Sequence, residues 1–299
     1  VWELTIDTPS PEIYFYSFIV DGVVMGDPLN VMVQRDGTRY LSMLIVPGER
    51  TENYYEAKRH GTVSYRWYNS PILGIDRRLT VYTPYGYEDS ANRNRKYPVL
   101  YLLHGAGGDE EAWTSMGRAA QILDNLIEKG QAVPMIVVMP NGNPGQMAAK
   151  TLGLPESELG WRVPENRTRY VRSLCEEIVP FIEKNYRVKT GAKNRALCGL
   201  SMGGGQSFYV GLRSPEMFSN VGVFSTGLFG GIAQAANLDF DKKDNMSVDE
   251  LLKAYKKLEE ENKALTTARD AALTTSEMKS AFLLYTFRLF ISIKITAPD

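Results

Sequence analysis

The chain has 299 residues, 43% hydrophobic and 23% charged, which is the composition of a globular protein and not of a disordered, collagen-like or coiled-coil chain. Its 34 basic and 35 acidic residues leave a formal net charge of −1, and the absence of a basic excess argues against a nucleic-acid binder. No apolar run approaches the length of about 18 residues that a membrane span needs.

Histidine and cysteine are scarce. The imidazoles are His60 and His104, while Cys175 and Cys198 lie among apolar residues and are predicted to be buried, unpaired thiols. So few ligand-type residues argue against a zinc site, and we predict no metal and no other cofactor. The chain begins at Val1 without a charged-then-apolar leader, so we expect either a removed signal peptide or a start inside a larger protein.

The first fifty residues are predicted to be β-structure. β-Branched and aromatic residues alternate over 13–20, the Asp21-Gly22 pair that follows is a hairpin signal, and 40–46 is a further apolar strand. A polar, charged stretch comes next and has the composition of a linker. The predicted divisions are residues 1–50, a small β-sandwich, 51–60, a linker, and 61–299, a second domain.

Strands and helices alternate from about residue 61. The strands are short, continuous apolar runs of the fully buried kind, and the helices carry apolar residues at helical spacing. Such alternation predicts an α/β fold with helices on both faces of a mainly parallel sheet. Strands are predicted over 62–68, 77–82, 98–103, 133–139, 196–200, 221–225 and 283–295, and helices over 122–130, 169–186, 203–212 and within 237–282.

The segment Gly199-Leu200-Ser201-Met202-Gly203 fits G-x-S-x-G between a predicted strand and a predicted helix. Nearly side-chain-free neighbours let the strand and the helix approach, so that the serine occupies a sharp turn with its hydroxyl above the sheet. We interpret Ser201 as a catalytic nucleophile. The alternative is a glycine-rich turn whose serine only caps the helix.

A second glycine-rich segment, Leu103-His104-Gly105-Ala106-Gly107-Gly108, follows the first buried strand of the parallel series. Its glycines let backbone N–H groups face a substrate. Ala106 and Met202 are predicted to supply the two amides of an oxyanion hole. A phosphate-binding loop is the alternative, but no Gly-Lys-Ser/Thr follows.

These motifs resemble the Putative esterase family of α/β hydrolases, which includes the feruloyl and acetylxylan esterases of carbohydrate esterase family 1. The resemblance extends over about residues 60–230. The first part of the chain, through residues 14–22 and Asp27-Pro28, resembles an Ig-like carbohydrate-binding module of the family-48 type. The segments that match the esterase family are Tyr82-Thr83-Pro84, Gly86-Tyr87, 97–105, Trp113, 138–142, 183–186 and 200–204.

The resemblance implies a secreted or periplasmic serine carboxylesterase that acts on esters of plant cell-wall polysaccharides through an acyl-enzyme. A feruloyl esterase acting on xylan side chains is the leading specific prediction, and an acetylxylan esterase or another carboxylesterase is the alternative. The implied partner is a small acyl-sugar or a polysaccharide ester, with no nucleic acid and no membrane. Trp113 and Trp161 are candidates to stack on a sugar or a phenolic acyl group, the alternative being packing under a loop.

The sequence departs from the family in its catalytic triad. The order in this fold is Ser, then Asp or Glu, then His, and no histidine follows Ser201. His104 lies where the family keeps a structural histidine, and His60 lies at the predicted domain junction. We therefore expect no imidazole within hydrogen-bond reach of the Ser201 hydroxyl, and little activity from these 299 residues.

Two explanations of the missing histidine stay open. If the chain ends before the histidine loop, Asp299, shortly after the last predicted strand, is a candidate for the triad acid, and the histidine lies on a continuation. If the end of the chain has diverged, the protein is a degenerate esterase. It would then belong to a different functional class, that of non-catalytic glycan-binding or scaffold proteins.

Overall fold

The structure is a computed structural model that describes residues 5–149, 164–214, 216–225 and 290–294. Its first part contains two antiparallel arrangements, a three-stranded sheet in the order β1-β5-β4 and a hairpin of β2 with β3. Asp21 and Gly22, both at positive φ, connect the hairpin strands as predicted. The strands are β1 (Ile13–Tyr16), β2 (Phe18–Val20), β3 (Val23–Met25), β4 (Val33–Asp36) and β5 (Arg39–Ile45).

A larger sheet forms the second part. Its strands are β6 (Thr62–Ser70), β7 (Ile75–Thr83), β8 (Val99–Leu103), β9 (Ile136–Pro140), β10 (Arg195–Leu200), β11 (Asn220–Phe224) and β12 (Phe290–Lys294), in the order β12-β11-β10-β8-β9-β7-β6. The four central strands, β11, β10, β8 and β9, are parallel, and antiparallel strands flank them on both sides. The predicted α/β-hydrolase fold is confirmed.

Helices cover both faces of this sheet. They are α1 (Ala112–Ser115), α2 (Ala119–Glu128), α3 (Pro164–Ser173), α4 (Val179–Asn185) and α5 (Met202–Arg213). Strand β8 shows why its sequence is apolar throughout. Tyr101 and Leu103 pack in the core that contains residues of α4 and α5, whereas Leu100 and Leu102 pack in the core that contains residues of α2. Because successive side chains of a strand point to opposite faces, burial on both sides removes any apolar–polar alternation.

The helix predicted over 169–186 is divided in the structure. A π-helical stretch, Leu174–Ile178, separates α3 from α4. Pro180 lies in the first turn of α4 and has no N–H to donate to a carbonyl four residues earlier. The wider π turn ends two residues before the proline, and we attribute the interruption to this missing donor.

Residues 237–282 and most of 283–295 lie outside the described residues. The described part of 283–295 is β12. It runs antiparallel to β11, with Phe290 opposite Phe224 and Lys294 opposite Asn220. The assignment of a triad acid after this strand stays a prediction. The carboxyl end of β12 lies at the start of β11, the edge of the sheet opposite Ser201. Asp299 itself lies outside the described residues.

The first part packs against the second through residues 49–54, a 3-10 helix. Tyr54 is buried in a cluster with Ile122 and Leu126 of α2, and Asn125 Nδ2 donates hydrogen bonds to the carbonyls of Asn53 and Tyr55. The domain boundaries at 50 and 60 stay a prediction, but the start of the predicted linker is closely packed. No helix among the described residues is long and apolar enough to cross a membrane.

Candidate active site

Ser201 occupies the turn between β10 and α5, the position that the sequence motif predicts. Its backbone has φ 52° and ψ −109°, its side chain is exposed, and its N–H donates to the carbonyl oxygen of Phe224 at 2.8 Å. A non-glycine residue held at such angles costs on the order of 1–3 kcal/mol, and strain of this kind is concentrated at functional sites. The turn therefore presents the Ser201 hydroxyl to solvent at the carboxyl edge of the central strands.

Two glycines make this turn possible. A Cβ on Gly203 would lie 2.6 Å from the carbonyl oxygens of both Leu103 and His104, and a Cβ on Gly199 would overlap the carbonyl of Gly203. The Gly203 N–H also donates to the His104 carbonyl oxygen at 3.1 Å. The start of α5 thus lies directly against the end of β8, which brings the loop after β8 beside Ser201.

The loop after β8 reaches the serine itself. A Cβ on Gly105 would lie 3.5 Å from the Ser201 Cβ. Among the described residues, the N–H groups of Ala106 and Met202 have no hydrogen-bond partner. Ala106 is exposed and Met202 is half-buried. Two free amides flanking an exposed serine are what an oxyanion hole requires, and their assignment to this role stays a prediction.

His104 holds this loop in place through both ring nitrogens. Nδ1 lies 2.7 Å from the Gly105 carbonyl oxygen, and Nε2 lies 2.8 Å from the Gly142 backbone nitrogen. A carbonyl can only accept and a backbone N–H can only donate, so the imidazole is neutral with its proton on Nδ1. Because a trans peptide is planar, the bond to the Gly105 oxygen also sets the direction of the Ala106 N–H at the other end of the same peptide group.

Burial lowers the pKa of His104 to about 4, with smaller effects from neighbouring groups. In the unfolded chain His104 binds a proton near pH 6.5, whereas in the folded chain it stays neutral until about pH 4. Stability is therefore lost as the pH falls below about 6.5 toward 4. We expect the free energy of unfolding to drop by about 2 kcal/mol between pH 7 and pH 5 from this group alone. Urea titrations at the two pH values measure the drop.

The chain offers a matched control for this prediction. His60 has its side chain 54% exposed. The His104→Gln variant should lose most of the pH dependence between pH 7 and pH 5, and the His60→Gln variant should keep it. The reverse result, with His60 carrying the dependence, would contradict the assignment of a buried neutral imidazole at His104.

Neither histidine is hydrogen-bonded to Ser201 in the described part of the chain. His104 is engaged with Gly105 and Gly142, and His60 Nδ1 lies 3.7 Å from the Asp124 carboxylate and 3.9 Å from that of Glu56. This agrees with the expectation that no imidazole serves as base to the serine.

A cavity of about 460 Å³ opens beside the loop after β8. The second part of the chain contributes Gly105, Ala106 and Trp113 to its lining, and the first part contributes Phe15 and Tyr54. The Trp113 ring also packs against the core on the α2 side of the sheet, and its Nε1 is buried without a hydrogen-bond partner among the described residues. Trp113 thus packs against the core and also lines the cavity, and its stacking on a substrate stays a prediction. Trp161 lies outside the described residues.

Sequence reasoning missed the buried charges that hold the loop after β9. The guanidinium of Arg77, fully buried, donates to the carbonyl oxygens of Asn141 and Pro144. The carboxylate of Glu110, also fully buried, accepts from Asn141 Nδ2 at 2.9 Å and from Arg78 Nε at 2.7 Å. Two features of the sequence could have indicated these buried charges. One is the pair of arginines within an apolar strand, and the other is the three consecutive acids after a glycine pair.

The family described as "Putative esterase" matches residues 70–280. A curated relative named endo-1,4-beta-xylanase/feruloyl esterase, from Xylanibacter ruminicola, is 34% identical over 233 residues, which are 77% of this chain and 31% of the relative. Endo-1,4-beta-xylanase Y from Acetivibrio thermocellus is 28% identical over 145 residues, 45% of this chain and 11% of that protein. The chain therefore spans less than a third of these relatives.

Among solved structures, a ferulic acid esterase of carbohydrate esterase family 1 from Anaeromyces mucronatus, in complex with ferulic acid, is 28% identical to this chain. The match covers 67% of this chain and 66% of that one, with a TM-score of 0.48.

Proposed function

Because the chain belongs to the Putative esterase family, we propose that it is a serine carboxylesterase that acts on esters of plant cell-wall polysaccharides, with feruloyl esters on xylan side chains as the preferred substrates. In this proposal the Ser201 hydroxyl oxygen attacks the ester carbonyl and the alcohol leaves, which gives an acyl-enzyme that water then hydrolyses. The N–H groups of Ala106 and Met202 stabilise the negative charge on the carbonyl oxygen. No metal or cofactor takes part in this scheme.

The observation that carries the proposal is the exposed Ser201 at φ 52°. The segments that adjoin it carry the amides of Ala106 and Met202, which have no hydrogen-bond partner in the described part of the chain. A helix-capping serine needs neither this strain nor a second free amide from another loop. The Ser201 side chain also makes no capping hydrogen bond to α5. The alternative reading of the motif as a simple cap therefore loses its support.

Two observations favour a feruloyl group over other acyl groups. The relative from Xylanibacter ruminicola bears the name feruloyl esterase, and the cavity beside Ala106 has the aromatic side chains of Phe15, Tyr54 and Trp113 in its lining. Aromatic rings pack well against the flat, apolar face of a phenolic acid. The secreted or periplasmic location and glycan binding by the first part of the chain stay predictions.

A second candidate function has one observation in its favour. Both ring nitrogens of His104 are occupied by backbone groups, and His60 contacts acidic side chains away from Ser201. A serine without a base reacts slowly, so the chain could instead be a non-catalytic glycan-binding protein with an esterase fold. The two candidates differ in whether Ser201 can be acylated at all.

Acylation by an activated ester tests this directly. We expect 4-nitrophenyl ferulate to transfer one feruloyl group to the chain, located by mass spectrometry of proteolytic peptides to the peptide that contains Ser201. The adduct should accumulate, because hydrolysis of the acyl-enzyme also needs a base. The Ser201→Ala variant, with an otherwise unchanged turn between β10 and α5, should form no adduct at this peptide.

The same assay separates the alternatives. Faster labelling of Ser201 by 4-nitrophenyl acetate, at equal concentration and corrected for the intrinsic reactivity of each ester, would favour the acetyl esterase reading. No labelling by either ester, combined with measurable binding of xylo-oligosaccharides in calorimetry, would contradict the esterase proposal and favour the non-catalytic one.

A further inference from the structure

The turn between β4 and β5 in the first part of the chain contacts the predicted oxyanion loop. The Gly37 N–H donates to the Gly107 carbonyl oxygen at 2.7 Å, and the Arg35 guanidinium forms an ion pair with Asp109. The side chains of this pair are only 11% and 8% exposed, so solvent screens their attraction far less than it screens a surface pair. Arg35 Nη1 also donates to the Gly37 carbonyl oxygen at 2.8 Å, which ties the turn to the same anchor.

The turn and the loop approach each other closely at Gly107. Gly107 has φ +85°, and a Cβ placed on it would lie 2.6 Å from Asp36 Oδ1 and 3.3 Å from the Gly37 nitrogen. Gly37 itself has φ +61° in the two-residue connection between β4 and β5. A tight hairpin turn of this kind has few alternative conformations, so it offers a rigid support to the loop.

From this turn a chain of hydrogen bonds leads to Ala106 through two peptide groups. The carbonyl of Gly107 and the N–H of Gly108 belong to one peptide group, and that N–H donates to the Gly105 carbonyl oxygen at 3.1 Å. The carbonyl of Gly105 and the N–H of Ala106 belong to the next. Since each group is planar and trans, a bond at its carbonyl end determines where its N–H end points. We call these two groups, with the Gly37 N–H that starts the series, the peptide relay.

We propose that the β4–β5 turn is a positioning element of the oxyanion hole, and that it orients and polarises the Ala106 N–H through the peptide relay. This inference rests on the proposed function, because it assigns a role to the turn in the same reaction. Aligned hydrogen bonds polarise one another, so each bond in the relay makes the terminal N–H a better donor to a developing oxyanion. His104 Nδ1 donates to the same Gly105 carbonyl oxygen, and this second bond further restricts the peptide group.

The Arg35→Ala variant of the full chain tests the proposal. It removes the ion pair with Asp109 and the hydrogen bond to the Gly37 carbonyl, and it substitutes no residue of the second part of the chain. The matched control is Arg39→Ala on the same turn, since Arg39 has its side chain 73% exposed and pairs with Asp36 at 3.7 Å. Arg35→Lys keeps the charge but loses the two-pronged geometry, so its effect should be intermediate.

One readout is the rate of Ser201 labelling by 4-nitrophenyl ferulate as a function of ester concentration. We expect Arg35→Ala to lower the rate at saturating ester about tenfold to a hundredfold, with little change in the half-saturating concentration, because the amide acts mainly on the transition state. Arg39→Ala should match the parent chain. Equal saturating rates for Arg35→Ala and the parent chain would overturn the proposal even if the esterase function holds.

A second readout does not depend on esterase chemistry. Backbone hydrogen exchange, followed by mass spectrometry, should be faster in Arg35→Ala for the peptide that contains residues 105–110 and unchanged for the peptide that contains β8. If Ser201 is not acylated in any variant, the proposed function fails, whereas unchanged exchange of the loop peptide overturns the positioning role itself. Faster exchange of the β8 peptide as well would show general destabilisation, and would also count against a specific role of the turn.

Discussion

Imidazole added to the buffer should accelerate turnover of 4-nitrophenyl ferulate by this chain, and the Ser201→Ala variant should lose that acceleration. Both histidines of the sequence have other contacts, His104 with Gly105 and Gly142, and His60 with acidic side chains. A diffusible imidazole that enters beside Ser201 can take the hydroxyl proton during acylation. In the slower step it can take a proton from the water that attacks the acyl-enzyme and return it to the Ser201 oxygen as ferulate leaves. It therefore replaces the base that the serine lacks.

The size of this effect follows from what a base contributes. A positioned general base is worth about 10²–10⁴ in rate, and a freely diffusing one recovers only part of that. We expect an increase of about tenfold or more that saturates with imidazole concentration, above a basal rate on the order of 10³ over water from the oxyanion hole and substrate binding alone. Stopped assays that measure released ferulate provide the rate, and the Ser201→Ala variant corrects for direct hydrolysis by imidazole.

Fast turnover without added imidazole would contradict this prediction. It would mean that a side chain of these 299 residues serves as the base. The His104→Gln and His60→Gln variants would then identify an unexpected histidine, and loss of activity in only one of them would assign it.

The Gly203→Ala variant should lose both stability and Ser201 reactivity. Its new methyl group would lie 2.6 Å from the carbonyl oxygens of Leu103 and His104, and backbone atoms cannot move aside as a flexible side chain can. Overpacking of this kind costs about 1–3 kcal/mol of folding free energy. Displacing the start of α5 also moves the Met202 amide and Ser201 relative to Ala106, for which we expect a loss of about a hundredfold in the labelling rate.

Gly26→Ala is the matched control for that variant. A Cβ on Gly26 would meet Ser42 Oγ at 3.5 Å, an ordinary van der Waals contact. We expect no loss in the urea midpoint or in the labelling rate for this control. A Gly203→Ala protein with the stability and reactivity of the parent chain would show that α5 does not pack on the end of β8 as described.

Local sequence patterns were sufficient for the α/β fold and for the candidate nucleophile. The apolar runs of β8 and β9 and the pattern around Ser201 reflect constraints that act within a few residues along the chain, namely burial on both faces of a strand and a sharp turn between a strand and a helix. Such constraints select residue types at fixed spacing, so they can be read without knowing the fold. The same reasoning predicted Ala106 and Met202 as the amide donors, but not the hydrogen bonds and the ion pair that hold their loops in place.

The tertiary structure decided the hydrogen bonds and the ion pair that hold these amides in place. The bond from His104 to Gly142 joins residues 38 positions apart, and the ion pair from Arg35 to Asp109 joins residues 74 apart. Periodicity carries no information about which distant carbonyl or carboxylate a buried donor will meet. That pairing depends on where the chain folds each segment, because a buried polar group is satisfied by whichever partner the packing places within about 3 Å.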